Sequence, residues 1–176
     1  MMIPMRSLFL ALLGLLLPVA VSAQTQGVAG VNDYWITPGA TPGGFSCRGV
    51  IMPTPVTMTM NLSAGASTNF VILWGTCPCQ GCSTTFPLIS SPCLPAPTSN
   101  CPSSNQFLDV LPFSSCTLIT INGTTTPAGT AGIPIFVPAV GTPVTLSTQA
   151  VILGPLACLP AAFPVLVSQA WNVKFN

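Results

Sequence analysis

Cys77-Pro-Cys79-Gln-Gly-Cys82 crowds three thiols into six residues, and Cys93 and Cys101 follow in the same Pro/Ser/Thr/Asn-rich stretch. Thiols so placed support three chemistries. As thiolates, Cys77, Cys79, Cys82 and Cys93 could hold a soft cation such as Zn²⁺ or Cu⁺. Cys79 and Cys82 could form a redox-active pair. With Cys47, Cys116 and Cys158 they complete an even set of eight, which in an exported chain reads as a disulfide framework. The spacing is not the paired Cys-x-x-Cys of a zinc finger, and the chain has no His to complete a metal site. Oxidation on export would also consume the thiols. The disulfide reading therefore leads, with no metal and no cofactor expected. Which cysteine meets which stays open, since eight allow roughly a hundred pairings.

Other catalytic chemistry lacks its groups. Hydrolytic triads need a base, and His is absent. Glycosidases need two carboxylates about 5–10 Å apart, and the only acids are Asp33 and Asp109, with no Glu. Neither sits in an Asp-Thr-Gly motif. Arg48 and Asp109 read as a structural pair. Tyr34 and Trp35 form an aromatic pair that could stack on a sugar ring, although aromatics of this kind more commonly cap a core. Catalytic and cofactor-binding residues are accordingly expected to be none.

Composition bounds the setting. After Ala23 only Asp33, Arg48, Asp109 and Lys174 carry charge, and they sum to zero. Such a chain has no basic footprint for nucleic acid, and little repulsion between its copies. Self-association or an envelope partner is the expectation that follows. Arg6, the apolar run Leu8 to Leu17, and Val21-Ser22-Ala23 have the layout of a signal peptide, placing the mature start at Gln24. That apolar run is short of the roughly 20 residues that cross a bilayer. No transmembrane anchor is expected after cleavage, and the destination is extracellular or the cell surface.

The elements that would carry these residues read as strands. Twenty prolines and fifteen glycines argue for short strands and turns. Val56, Met58, Met60 and Leu62 alternate with Thr57, Thr59 and Asn61, the pattern of a half-buried strand. Asn69 to Gly75 is apolar on both parities, as in a strand covered on both faces, and the two read as a hairpin. Cys116 to Ile121 runs into Asn122-Gly123, a strong turn signal. Ile133 to Val137 reads as an edge strand because of Pro134 and Pro138. Val144 to Leu153 and Val165 to Phe175 read as a closing pair. In the last strand Val165, Val167, Trp171, Val173 and Phe175 share one parity, interrupted by Gln169, so Trp171 is expected in the core and Lys174 in solvent.

Leu146-Ser-Thr-Gln-Ala-Val-Ile-Leu-Gly-Pro155, followed by Val167-Ser-Gln-Ala-Trp-Asn-Val-Lys-Phe175, resembles the C-terminal signature of secreted planctomycete-type and myxobacterial-type modules. Pro112-Phe-Ser-Ser-Cys-Thr-Leu-Ile and Ile133-Pro-Ile135 are similar to their upstream elements. Gly154 stands where that signature has Asp, and the Cys77–Cys101 insertion is not typical of it. The resemblance implies an exported β-sandwich with no established activity. The expected organisation is a signal peptide at 1–23, an irregular lead-in at 24–48 packed on the domain, and an antiparallel β-sandwich at 49–176. That sandwich would have about seven to nine short strands, with a disulfide-rich insertion at 76–104. The expected role is a structural or interaction module without catalysis. The alternative is a carbohydrate- or protein-binding module using Tyr34, Trp35 or the cysteine-rich loop.

Overall fold

The computed structural model describes residues 26–76, 79, 86–88, 106–108, 117–153 and 165–176. Among them every regular element is a strand: β1 (Gln26–Gly27), β2 (Asn32–Thr37), β3 (Gly44–Phe45), β4 (Arg48–Met52), β5 (Val56–Ala64), β6 (Asn69–Gly75), β7 (Phe86–Leu88), β8 (Gln106–Leu108), β9 (Thr117–Thr124), β10 (Thr130–Val137), β11 (Val144–Leu153) and β12 (Val165–Phe175). Three strands form one sheet in the order β10-β5-β2, and five form another in the order β4-β12-β11-β6-β9. Neighbours run antiparallel except β4, which lies parallel to β12. Two-stranded ribbons β1-β3 and β7-β8 complete the set. The fold is thus the all-β sandwich that the alternation predicts. The signal-like segment 1–23 and most of 76–104 lie outside the described residues.

The two sheets bury their apolar parities against each other. Tyr34 and Ile36 of β2 and Met58, Met60 and Leu62 of β5 meet Phe70, Ile72 and Trp74 of β6, Ile152 of β11 and Trp171, Val173 and Phe175 of β12. Trp171 is buried and Lys174 exposed, as their opposite parity requires. The interior strand β6 is covered on both faces: Leu73 packs on the outer side with Ala170 and Cys79.

Four expectations are corrected. The segment 24–48 is not an irregular lead-in. It supplies β2, whose Tyr34 and Ile36 are fully buried, because Tyr34 and Ile36 are apolar on one parity of an extended run. β5 and β6 are not a hairpin. They lie in different sheets, so the Gly65-containing connection is an arch that carries the chain across the core. Asn122-Gly123 is not a turn. β9 runs through it, with Asn122 opposite Val71 and Gly123 opposite Phe70. The glycine is needed for space: a Cβ there would lie 2.4 Å from Phe70 Cζ.

The fourth correction concerns β12. Gln149 faces Ala170 while Val151 faces Val167, so Ala150 alone opposes Ser168 and Gln169. This β-bulge shifts parity by one residue. Before it Leu166 points into the core, and after it Trp171, Val173 and Phe175 do, whereas Val167 turns away from them. The backbone groups freed by the bulge find side-chain partners. Gln149 Nε2 donates to Ser168 O at 2.7 Å, Ser168 Oγ donates to Gln169 O at 2.8 Å, and Ala170 N donates to Ser46 Oγ at 2.8 Å. Buried backbone groups are almost always paired in this way.

Candidate functional site

Two places gather the residues with chemical potential. The first is the seam where β2, the edge of the three-stranded sheet, lies beside β12. Gln169, projected inward by the bulge, accepts from Tyr34 N at 3.1 Å through Oε1 and donates to Asp33 Oδ1 at 2.5 Å through Nε2. Trp171 Nε1 donates to Tyr34 O at 2.7 Å. Side chains of β12 therefore satisfy both backbone groups of Tyr34. Asn32 Nδ2 reaches Val167 O at 2.8 Å, and the Tyr34 hydroxyl pairs with Thr148 Oγ1 at 3.0 Å. Gly27 lies against the Gln169 amide so closely that a Cβ would fall 2.1 Å from its oxygen.

Charges at this seam serve the fold. Both Asp33 oxygens accept from Gly43 N, at 2.8 and 3.0 Å. Arg48 donates through Nη2 to Thr41 O at 3.2 Å and to Gly43 O, and its guanidinium carbon sits 4.2 Å from the centroid of the Trp171 ring. Burial lowers the Arg48 pKa, opposed by the charge of Asp33. The charge of Asp33 acts on Arg48; the expected partner Asp109 lies outside the described residues. Asp33 itself is buried.

Tyr34 does not form a stacking surface. It is buried completely, because its parity faces the core, and no sugar ring can reach it. Trp35 is half-buried, packed against the core margin. Of the cysteines, Cys47 and Cys79 form a disulfide with a Cα–Cα distance of 5.3 Å. Cys79 is therefore spent, which removes it from the thiolate set with Cys77, Cys82 and Cys93 and from a pair with Cys82. Cys77, Cys82, Cys93, Cys101, Cys116 and Cys158 lie outside the described residues. Cys47 takes a left-handed φ of 65°, uncommon for a residue with a Cβ. Its N–H is tied to Ala170 O at 2.8 Å, while Cys79 N donates to Asn172 Oδ1 at 3.2 Å. The bridge fastens Cys79 beside β12.

The second place is a cleft of about 230 Å³ at one end of the sandwich. Its position follows from the two arches. β5–β6 and β9–β10 cross the core side by side at the opposite end, and their turns are zipped together. Ala64 N donates to Gly129 O at 2.8 Å, Thr125 N to Thr68 O at 2.9 Å, and Thr68 N to Thr125 Oγ1 at 2.8 Å. Away from this closure the sheets part. Met58, Ile135 and Val137 line the cleft from the three-stranded sheet, and Trp74, Ile121 and Phe175 from the five-stranded one. Ile119 and Val144 stand at the mouth, 57% and 39% exposed. Thr54 holds the rim, accepting from Val140 N at 3.2 Å and donating to Asn176 O at 2.7 Å.

No motif marks this cleft in the sequence, since its residues come from six strands and one loop. The one legible sign is the apolar parity of Ile119/Ile121 and of Ile135/Val137, carried by two edge strands that bury it only partly. No family model, curated protein or solved structure matches the chain.

Proposed function

We propose that this chain is an exported, disulfide-stapled β-sandwich module of the cell surface or extracellular space that works by association rather than by catalysis, its partner being a second copy or an envelope component. The observation that carries the reading is the side of the sandwich formed by β9 and β10. Both are edge strands, and neither contains a charged residue. Phe136 of β10 is 65% exposed and Ile119 of β9 57% exposed. Native proteins usually blunt sheet edges with charge, bulges or proline, and here β10 has only Pro134. An edge so guarded can add a strand from a neighbour.

Export is supported by the signal-like segment 1–23 and by the Cys47–Cys79 bridge, which is consistent with an oxidising compartment. No helix among the described residues is long and apolar enough to cross a membrane. The non-catalytic reading rests on the lack of His and Glu and on the burial of Asp33. Light scattering of the oxidised chain from Gln24, across micromolar concentrations at physiological salt, tests the proposal. The expected result is a mass that rises with concentration, and that falls back to the monomer when Phe136→Lys and Ile119→Lys place charge on the two edges. A concentration-independent monomer that also fails to bind isolated envelope material overturns it.

A further inference from the structure

We infer that the cleft between the two sheets is a binding site for a single unbranched hydrocarbon chain whose polar head stays at the mouth. The proposal does not rest on the association reading, because it concerns the space inside the sandwich rather than the strand edges. Every described residue lining the cleft is apolar. The one hydrogen-bond donor among their side chains, Trp74 Nε1, is already directed to Met60 Sδ at 3.2 Å. Whatever enters therefore meets no free donor, acceptor or charge on the described side chains that line it. A buried water is stable only with two to four polar partners, so water in this cleft is poorly held and its displacement by apolar groups is favourable.

Shape narrows the class. The walls are two sheets that part at the end away from the zipped arches, so the space is a cleft floored by the packed core and open at that end. A cleft of 230 Å³ takes about eight groups the size of a water or methylene, at roughly 30 Å³ each. Branched aliphatics and the ring of Phe175 line it, and the unbranched Met58 can adjust its rotamer to the guest. Ligand sites usually place a few polar groups to orient their guest. Their absence from this lining excludes recognition of a polar or charged head within the slot and leaves chain length as the property read.

The test is calorimetric titration of the oxidised chain from Gln24 with linear alkan-1-ols of increasing length. Kd is expected to tighten about fourfold per added methylene and to level off beyond about eight carbons. Val140→Trp, at the half-buried rim, fills the slot and is expected to weaken binding at least tenfold, with the thermal midpoint unchanged. Val144→Trp, on a side chain 39% exposed at the mouth and carried by an interior strand, gives the same readout should the first variant fold poorly. Affinity without dependence on chain length overturns the proposal, and so does binding that survives both substitutions. A third overturning result is no alkanol binding together with loss of self-association in the filled variants, which would assign the cleft to a second copy.

Discussion

Tyr34 is the only tyrosine in the chain, and its phenol is buried between the sheets with Thr148 Oγ1 as its partner. Desolvation pushes its pKa well above the usual 10.0, and the hydrogen bond to Thr148 only partly offsets that. A raised folded pKa favours the protonated native state. The unfolded phenol ionises near pH 10 while the buried one keeps its proton, so Tyr34 contributes no slope below about pH 10 and stability falls as pH rises above it. Phenolate absorbance should then appear only together with unfolding. Tyr34→Phe should remove the alkaline decline, at a cost of about 1–2 kcal/mol at neutral pH from the Thr148 hydroxyl left unpaired. Urea unfolding from pH 7 to pH 11.5 checks both. An unchanged alkaline slope in the Phe variant would assign it to another group.

β9 and its neighbour β6 depend on one glycine for their spacing. Asn122-Gly123 has turn chemistry, yet a real turn follows it, at Thr126 to Thr130, where Gly129 has φ 77° and Thr126 N donates to Thr130 O at 2.8 Å. Gly123 instead admits the buried Phe70 ring from the facing position. Gly123→Ala should therefore force Phe70 off its site and cost about 1–3 kcal/mol, the usual range for overpacking. Asn122→Ala, on the exposed side of the same strand, should change stability by no more than about 0.5 kcal/mol. Equilibrium unfolding of both variants decides between packing and turn roles, since loss of an Asn-Gly turn would make the Asn substitution costly as well.

Among the described residues the sandwich is tied together along one side and ends in edge strands along the other. Gln169, Trp171 and Asn32 sew β2 to β12, and the Cys47–Cys79 bridge lies by the same strand, whereas β9 and β10 end their sheets on the opposite side. The bridge spans a sequence separation of 32, a loop whose closure in the unfolded chain is worth about 3–4 kcal/mol by chain entropy. Replacing both cysteines together, Cys47→Ser with Cys79→Ser, should lower stability by about 2–4 kcal/mol in urea titration. A midpoint equal to that of the parent would mean that the hydrogen bonds beside the bridge hold this corner without it.

Alternation of side chains along an extended backbone is local, and the local pattern located most of the framework. β6, β11 and β12 match the stretches 69–75, 144–153 and 165–175 read from parity and turns, and Trp171 and Lys174 fall on the sides their parity demands. Pairing is not local. The Gly65 to Thr68 connection suits a hairpin and an arch equally by composition, and the choice was made by Phe70, Ile72 and Trp74 finding their burial opposite Met58, Met60 and Leu62 rather than alongside them. Gln169 appeared only as a polar interruption in an apolar row. Its purpose depends on the free edge of β2, more than a hundred residues earlier in the chain, whose Tyr34 N–H needs an acceptor. Of the cleft, only the apolar parity of Ile119/Ile121 and of Ile135/Val137 was legible, because an empty volume between two sheets belongs to no stretch of sequence and arises only where packed layers part.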